Sequence, residues 1–361
     1  MSKELIEIKV NDIVYSNWTD ASIFKSIEMA SGEFIFSSSN INDEVYYFDK
    51  GDECVALIDD KPMITGFINV LGGSYDADSH ELNISGRDKT QDLIDCSING
   101  VVDFKGGVTL ETIIKRILTL NGITDIKIIS TEKIKPFSAS EIVTADVTET
   151  GFSLIEKYCR LRQVLFTTNG DGDIVLTKAG KNKYTTMLKN EFGANDNNIL
   201  SAKFQDSDQE RFNTYLVISQ GNLVSGIEDS QLTIKSGKPA LDDNIRATRI
   251  LKINTNASDI KTLTDRAIWE SNLRRVRQFQ YNCKIRGYYL DAEKTVLIEP
   301  NNLITVKDDM FGIDSELLIK SCRYVKSLRE GSVTLLELVN KDAYTLQAQI
   351  DEVEAKFNKK K

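Results

Sequence analysis

The hydrophobic pattern of this chain changes period near Cys96, and that change limits the folds open to it. Before it, "LIEIKV" (Leu5–Val10) and "ELNISG" (Glu81–Gly86) alternate apolar with polar residues, as a half-buried strand does. "CVALIDDKPMITGFINV" (Cys54–Val70) reads as two strands around a turn at Asp59–Pro62, where proline presets the backbone. Short strands at this spacing predict a small antiparallel barrel or sandwich over residues 1–96. After Cys96 the period becomes helical. Leu110, Ile113, Ile114, Ile117 and Leu118 recur at i, i+3, i+4, and Asn121-Gly122 supplies a left-handed C-cap. A second helix is expected near Phe152–Leu161, with Ile155, Tyr158 and Cys159 inward, before the hairpin "VLFTTNGDGDIVLTK". Residues 97–190 thus predict a separate small α/β domain.

Strands resume with "NILSAKFQD" and "RFNTYLVISQ", and a polar segment from about Gly221 to Asn256 interrupts them. A helix over Ser258–Gln278 places Ile260, Leu263, Ala267 and Trp269 as its apolar residues. The chain then returns to β with "FQYNCKIRGYYL", "NNLITVKDD", "ELLIKSCRYVKS" and "SVTLLELV". This order predicts a second, discontinuous β-domain, residues 191–220 and 277–342, carrying an insertion over 221–276. In the tail, residues 343–361, Ala343, Leu346, Ile350, Val353 and Phe357 follow the a/d rhythm of a helical seam. Two heptads suit either an assembly seam at Leu346, Ile350, Val353 and Phe357 or a helix packed on its own domain. The fold class expected is α+β, mainly β.

Composition removes several functions. A net charge of −9 argues against a chain that binds nucleic acid throughout, because neutralising phosphates needs a basic face. His80 is the only histidine, so a Ser-His-Asp triad, a Cys-His protease or a His-rich metal site would have to be built on one polar turn. Cys54, Cys96, Cys159, Cys283 and Cys322 are odd in number, far apart and free of CxxC pairs, which points to free thiols. No run approaches a membrane span, and the N-terminus lacks a signal-peptide apolar region, so folding in the cytoplasm without membrane insertion is expected.

Three stretches invite chemistry. "NGDGD" sets Asn169, Asp171 and Asp173 at calcium-loop spacing, but Ile174 and Gly180 stand where such a loop needs glycine and glutamate, so a hairpin turn is expected. "RRVRQ" (Arg274–Gln278) lacks interleaved stacking aromatics, and a solvated or ion-pairing helix face is expected. "ISGRDKTQDLIDCSI" (Ile84–Ile98) crowds Arg87, Asp88, Lys89, Asp92, Asp95 and Cys96 together, with Asp88 or Thr90 placed to cap a helical turn. Its position at the change of period predicts a joint between domains. No cofactor is called for.

The stretch "GRDKTQDLIDCS" (Gly86–Ser97) resembles the signature closing the first barrel of baseplate hub proteins from Mu-like contractile-tailed phages and prophages. Further matches follow in order: "MITGFIN", "TLETIIKRIL", "CRLRQVLFTTNGDGDIVLTKAG" and "AIWESNLRRVRQ". They span nearly the whole chain except residues 221–256. The resemblance implies two similar antiparallel β-barrels, the second discontinuous, with α/β insertions, assembled as a homotrimeric ring. That ring adapts a sixfold tail tube to a threefold spike and gives DNA a passage. It implies partners in the trimeric tail spike, the tail tube and other baseplate proteins, with DNA only as passing cargo. It implies assembly in the host cytoplasm, a place in the virion tail baseplate, and no catalytic residue. Gly86, Arg87, Asp88, Asp92 and Asp95 are its signature joint. The rival reading is a tail-tip enzyme that degrades cell-wall glycan or peptide, and a needle-bearing secretion spike would continue further.

Overall fold

A computed structural model describes residues 4–39, 47–76, 80–138, 142–162, 164–180, 182–220, 234–255 and 260–344. The seam positions Leu346, Ile350, Val353 and Phe357 lie outside them, as do residues 221–233. Strands make up 46% of the described residues and helices 14%, so they are mainly β as expected.

Seven strands precede the change of period: β1 (Ile6–Val10), β2 (Ile13–Tyr15), β3 (Asp20–Ser26), β4 (Glu33–Ser39), β5 (Glu53–Ile58), β6 (Lys61–Tyr75) and β7 (His80–Asp88). They pair antiparallel in the order β3-β4-β7-β6-β5-β1-β2. The alternating apolar residues point inward: Ile6, Ile8 and Val10 of β1 are buried, as are Phe34 and Phe36 of β4, although Glu7 between the first two is buried as well. The turn after β5 uses Asp59 and Asp60, both at positive φ, while Pro62 lies inside β6 opposite Leu57. The predicted turn therefore closes one residue earlier than the proline suggested.

The sheet does not stop at the N-terminal strands. β3 pairs antiparallel with the strand Ile313–Ser327, in register from Asp20↔Ser327 to Ser26↔Ser321. Segments expected in different barrels thus share one continuous sheet, because seven ladder positions of β3 are satisfied by the C-terminal strand. The pairing follows an open path that ends at β2, and closure into barrels is not among the described pairings.

Two compact units result: Met1–Ala202 with Asn282–Leu338, and Lys203–Tyr281 with Val339–Lys361. The first unit holds, besides the sheet, a second core built on three helices: α1 (Gln91–Asp95), α2 (Leu110–Leu120) and α3 (Gly151–Leu161). Thr109 caps α2 by accepting from the Thr112 amide, and Asn121 ends it, with Gly122 at φ +71° as the C-cap pattern predicted. Ile113, Ile114 and Ile117 of α2 bury fully against Leu154 and Ile155 of α3 and Leu93 of α1. Burying each such side chain is worth roughly 1.5–3 kcal/mol. The hairpin Leu165–Thr168 and Ile174–Thr177 adds Phe166, Ile174 and Leu176 to this core.

In the second unit, α4 (Ile260–Gln278) packs Leu263, Ala267 and Ile268 on Tyr215 and Val217 of the strand Thr214–Gln220. Ile260 and Trp269, expected among its apolar residues, are exposed and half-buried respectively.

Candidate functional site at the joint

The end of β7 is tightly confined. A Cβ at Gly86 would stand 2.1 Å from the Phe67 carbonyl oxygen and 2.4 Å from the Phe34 ring, so only glycine lets the strands pass. Arg87, on the opposite face from Gly86, donates to both carboxylate oxygens of Asp95, with Nη1 to Oδ1 at 3.2 Å. This fork ties the last turn of α1 back to the strand that feeds it. The Asp95 hydrogen bond raises the Arg87 pKa, and the charges of Asp95, Glu33 and Asp92 add to it. Asp92 itself is exposed on the first turn of α1.

Asp88 is fully buried. Its Oδ1 accepts from the Thr90 amide at 3.0 Å and lies 2.7 Å from the Thr90 hydroxyl, and its Oδ2 accepts from the Thr168 hydroxyl. Burial raises its pKa, and the three hydrogen bonds with the nearby Lys25 ammonium offset only part of that rise. Thr90 is the N-cap of α1, but its hydroxyl makes no capping bond. It is shared between Asp88 and the Ala30 carbonyl, so of the two capping candidates Asp88 accepts the amide that opens the turn and Thr90 bonds between segments instead.

Lys89 completes the joint, with only 12% of its side chain exposed. Its ammonium stands 3.0 Å from Glu53 of β5 and 2.8 Å from Asp125, which follows α2. Burial pushes the Lys89 pKa down, but the bonds to Asp125 and Glu53 outweigh it and the net shift is upward. The same contact holds the Asp125 carboxyl below its ordinary value.

The "NGDGD" turn docks on this joint from 80 residues away. Asn169 Oδ1 accepts from the amides of Asp171 and Asp173, closing the hairpin, and Asp173 Oδ1 accepts from the Lys127 amide. Two of the oxygens expected of a calcium loop are thus committed to backbone donors. The Gly170 carbonyl accepts from Thr65 Oγ1 at 2.7 Å, and a Cβ there would stand 2.1 Å from the Pro62 carbonyl oxygen. Gly172, at φ +79°, lies beside the Lys89 side chain. Asp88 thus bonds Thr168, Lys89 bonds Glu53 and Asp125, and Gly170 bonds Thr65, while Arg87 pairs with Asp95, Gly86 lies against Phe67 and Phe34, and Asp92 is exposed. Lys89 and Thr90 lie inside the stretch that the sequence singled out. Asp125, Thr168 and Gly170 carry no local signal, since their roles arise from chain segments that meet only in the fold.

The remaining candidates have structural partners. His80 is exposed and stands edge-on to Tyr75 across the β6–β7 hairpin. Burial pushes the Cys54, Cys159 and Cys283 thiols up to about 12, so they pack as small apolar groups. Arg274 pairs with Glu270 at 3.0 Å, and Arg275 with Arg211 holds the fully buried Asp242. The basic run is thus an ion-pairing helix face. Among the described residues no group of three or more His, Cys, Asp or Glu is placed to hold a metal.

Residues 5–88 match the family "Mu phage baseplate assembly protein GpP-like, N-terminal", and residues 90–178 match "Baseplate hub protein gp44-like, second domain". The two matches abut at Lys89, the residue that bridges Glu53 and Asp125. Residues 5–178 thus match two consecutive domains of Mu-like baseplate hub proteins. It is 24% identical over 357 residues to the baseplate hub protein gp44 of Escherichia phage Mu, covering 96% of this chain and 90% of that protein. The hub fold is shared with the 43 kDa tail protein of prophage MuSo2 from Shewanella oneidensis, with TM-score 0.80 and 25% identity over 94% of this chain and 99% of that one. A tail protein from Neisseria meningitidis has the same TM-score of 0.80 at 19% identity, covering 96% of this chain and 99% of that one, and so matches in fold. By homology the chain is a component of a phage-tail baseplate.

Proposed function

We propose that this hub acts as a homotrimeric ring that adapts a sixfold tail tube to a threefold spike and lets DNA pass through its bore. The ring assembles in the host cytoplasm and contacts the trimeric spike, the tube and other baseplate proteins. It works by shape and interface chemistry and carries no catalytic residue. One observation carries this reading: at the place where the two hub-family matches meet, the clustered charges are spent on holding segments together. Arg87 is forked onto Asp95, Asp88 accepts three hydrogen bonds, and Lys89 bridges two carboxylates. A general acid or base needs a group able to exchange protons with a substrate, and these are sealed or paired. The net charge of −9 suits a bore that is acidic or neutral, past which DNA slides without sticking.

The experiment is deletion of the gene from a producing lysogen, followed by electron microscopy of the induced particles. The expected result is loss of baseplates and complete tails, restored by the gene in trans. Complete tails in the deletion strain would overturn the proposal.

A further inference from the structure

Resting on the baseplate reading, the turn between the strands Leu188–Asn190 and Ile199–Asp206 offers a place where the hub meets another protein. Its sequence, "EFGANDNN", is mostly polar, yet Phe192 stands in it 72% exposed. Met310, 63% exposed, lies on the neighbouring turn, where Asp309 Oδ2 accepts from the Phe192 amide at 2.9 Å. Single exposed apolar side chains are ordinary on a protein surface. What sets these two apart is how firmly their backbone is held. Asn197 closes the first turn, its Oδ1 accepting from the Glu191 amide and its Nδ2 donating to the Glu191 carbonyl, both at 2.9 Å. Asn198 fastens the end of that turn to the strand before it, through the Lys189 amide at 2.8 Å and the Met187 carbonyl at 2.9 Å. On the neighbouring turn the Asp309 amide donates to the Asn190 carbonyl. The buried Asp308 carboxylate accepts there from Asn190 Nδ2 and the Met310 amide. Both turns are therefore set before any partner arrives, which cuts the ordering cost of binding. Aromatic side chains are the frequent anchors of protein interfaces.

Local charge says what kind of partner fits. Lys189 is engaged by Asp196 at 2.6 Å, and Lys307 by Glu191. Asp309 and Asp314 stand exposed beside them. Glu191 first, then Asp314 and Asp309, hold the Lys307 ammonium above its ordinary pKa. Four carboxylates thus meet two ammonium groups, and the rim of the two turns is acidic. A second copy, with net charge −9, brings like charge to that rim, whereas a surface rimmed by Lys or Arg is attracted to it.

We propose that Phe192 and Met310 form a rigid apolar knob that seats in an apolar socket, rimmed by basic side chains, on a different protein of the tail. The test places p-benzoylphenylalanine at position 192 of the full-length chain, supplied to a lysogen deleted for the gene. Complete tails are irradiated, and crosslinked peptides are identified by mass spectrometry. The expected crosslink joins position 192 to another tail protein, at apolar residues flanked by Lys or Arg. A second arm uses Phe192→Asp, with Phe192→Leu as its apolar counterpart. Purified Phe192→Asp is expected to keep the melting temperature and oligomeric state of the natural chain, because its site is exposed. The yield of complete tails from it is expected to fall about tenfold or more, as loss of an interface anchor does, and Phe192→Leu should restore most of that yield. A crosslink to a second copy of the hub overturns the proposal and assigns the turn to a contact between copies. A crosslink to an acidic segment overturns it as well. So do complete tails that hold the chain but give no crosslink at position 192, a Phe192→Asp chain that builds tails as the natural one does, or one whose oligomeric state changes. Complete tails from which the chain is absent would instead refute the baseplate reading.

Discussion

Asp88 shows how one side chain serves a joint. A carboxylate with no exposure is costly unless donors surround it, and Thr90 with Thr168 supplies them from two segments 80 residues apart. Thr168→Val removes one donor and leaves a buried acceptor short of a partner. It is expected to cost about 1–3 kcal/mol, read as a lower denaturation midpoint, with Thr168→Ser restoring most of it. An unchanged midpoint would mean that the bond adds nothing. Asp125 gives the joint a pH dependence whose sign follows from its lowered pKa. Its ordinary value is 3.8 and Lys89 holds it lower in the folded protein, so its contribution is complete above that value and lost as pH falls below it. As pH falls below that ordinary value, the natural chain should lose thermal stability more steeply than Asp125→Asn. Equal slopes would contradict the pairing. Sequence alone located Arg87, Asp88 and Asp95 through their crowding after a strand. It did not expose Asp125 or Thr168, whose neighbours carry no pattern that links them to Asp88.

Elements were more legible than contacts. The i, i+3, i+4 spacing of Leu110–Leu118 gave α2 almost to the residue, and Asn121-Gly122 gave its end, because burial of one helical stripe imposes that period. Strand alternation gave β1 and β7 for the same reason at period two. Pro62 misled by one position, since proline is tolerated early in a strand as well as in a turn. The hairpin tip illustrates what a pattern leaves out. "NGDGD" marks a turn, but nothing in it says that Gly170 must lie against the Pro62 carbonyl. Gly170→Ala would force a Cβ to 2.1 Å from that oxygen, and backbone on both sides has to move. The expected loss is about 1–3 kcal/mol or more, with faster proteolysis of the segment after α1. A variant as stable and as protease-resistant as the natural chain would show that the tip does not dock as described.

At the scale of the whole molecule, the sequence pattern divided the chain by period and the fold rejoined part of it. The pairing of β3 with Ile313–Ser327 links residues 300 positions apart, and no local periodicity reports such a partner. The order of family-like motifs carried the hub reading instead, and the matches that meet at Lys89 agree with it. What unites the scales is that clustered charge here fixes geometry. Forks and bridges at the joint hold distant segments of one chain together. The most direct test is sedimentation velocity of the purified full-length protein at micromolar concentration. The account predicts a discrete species of three copies, and a strictly monomeric protein would contradict it.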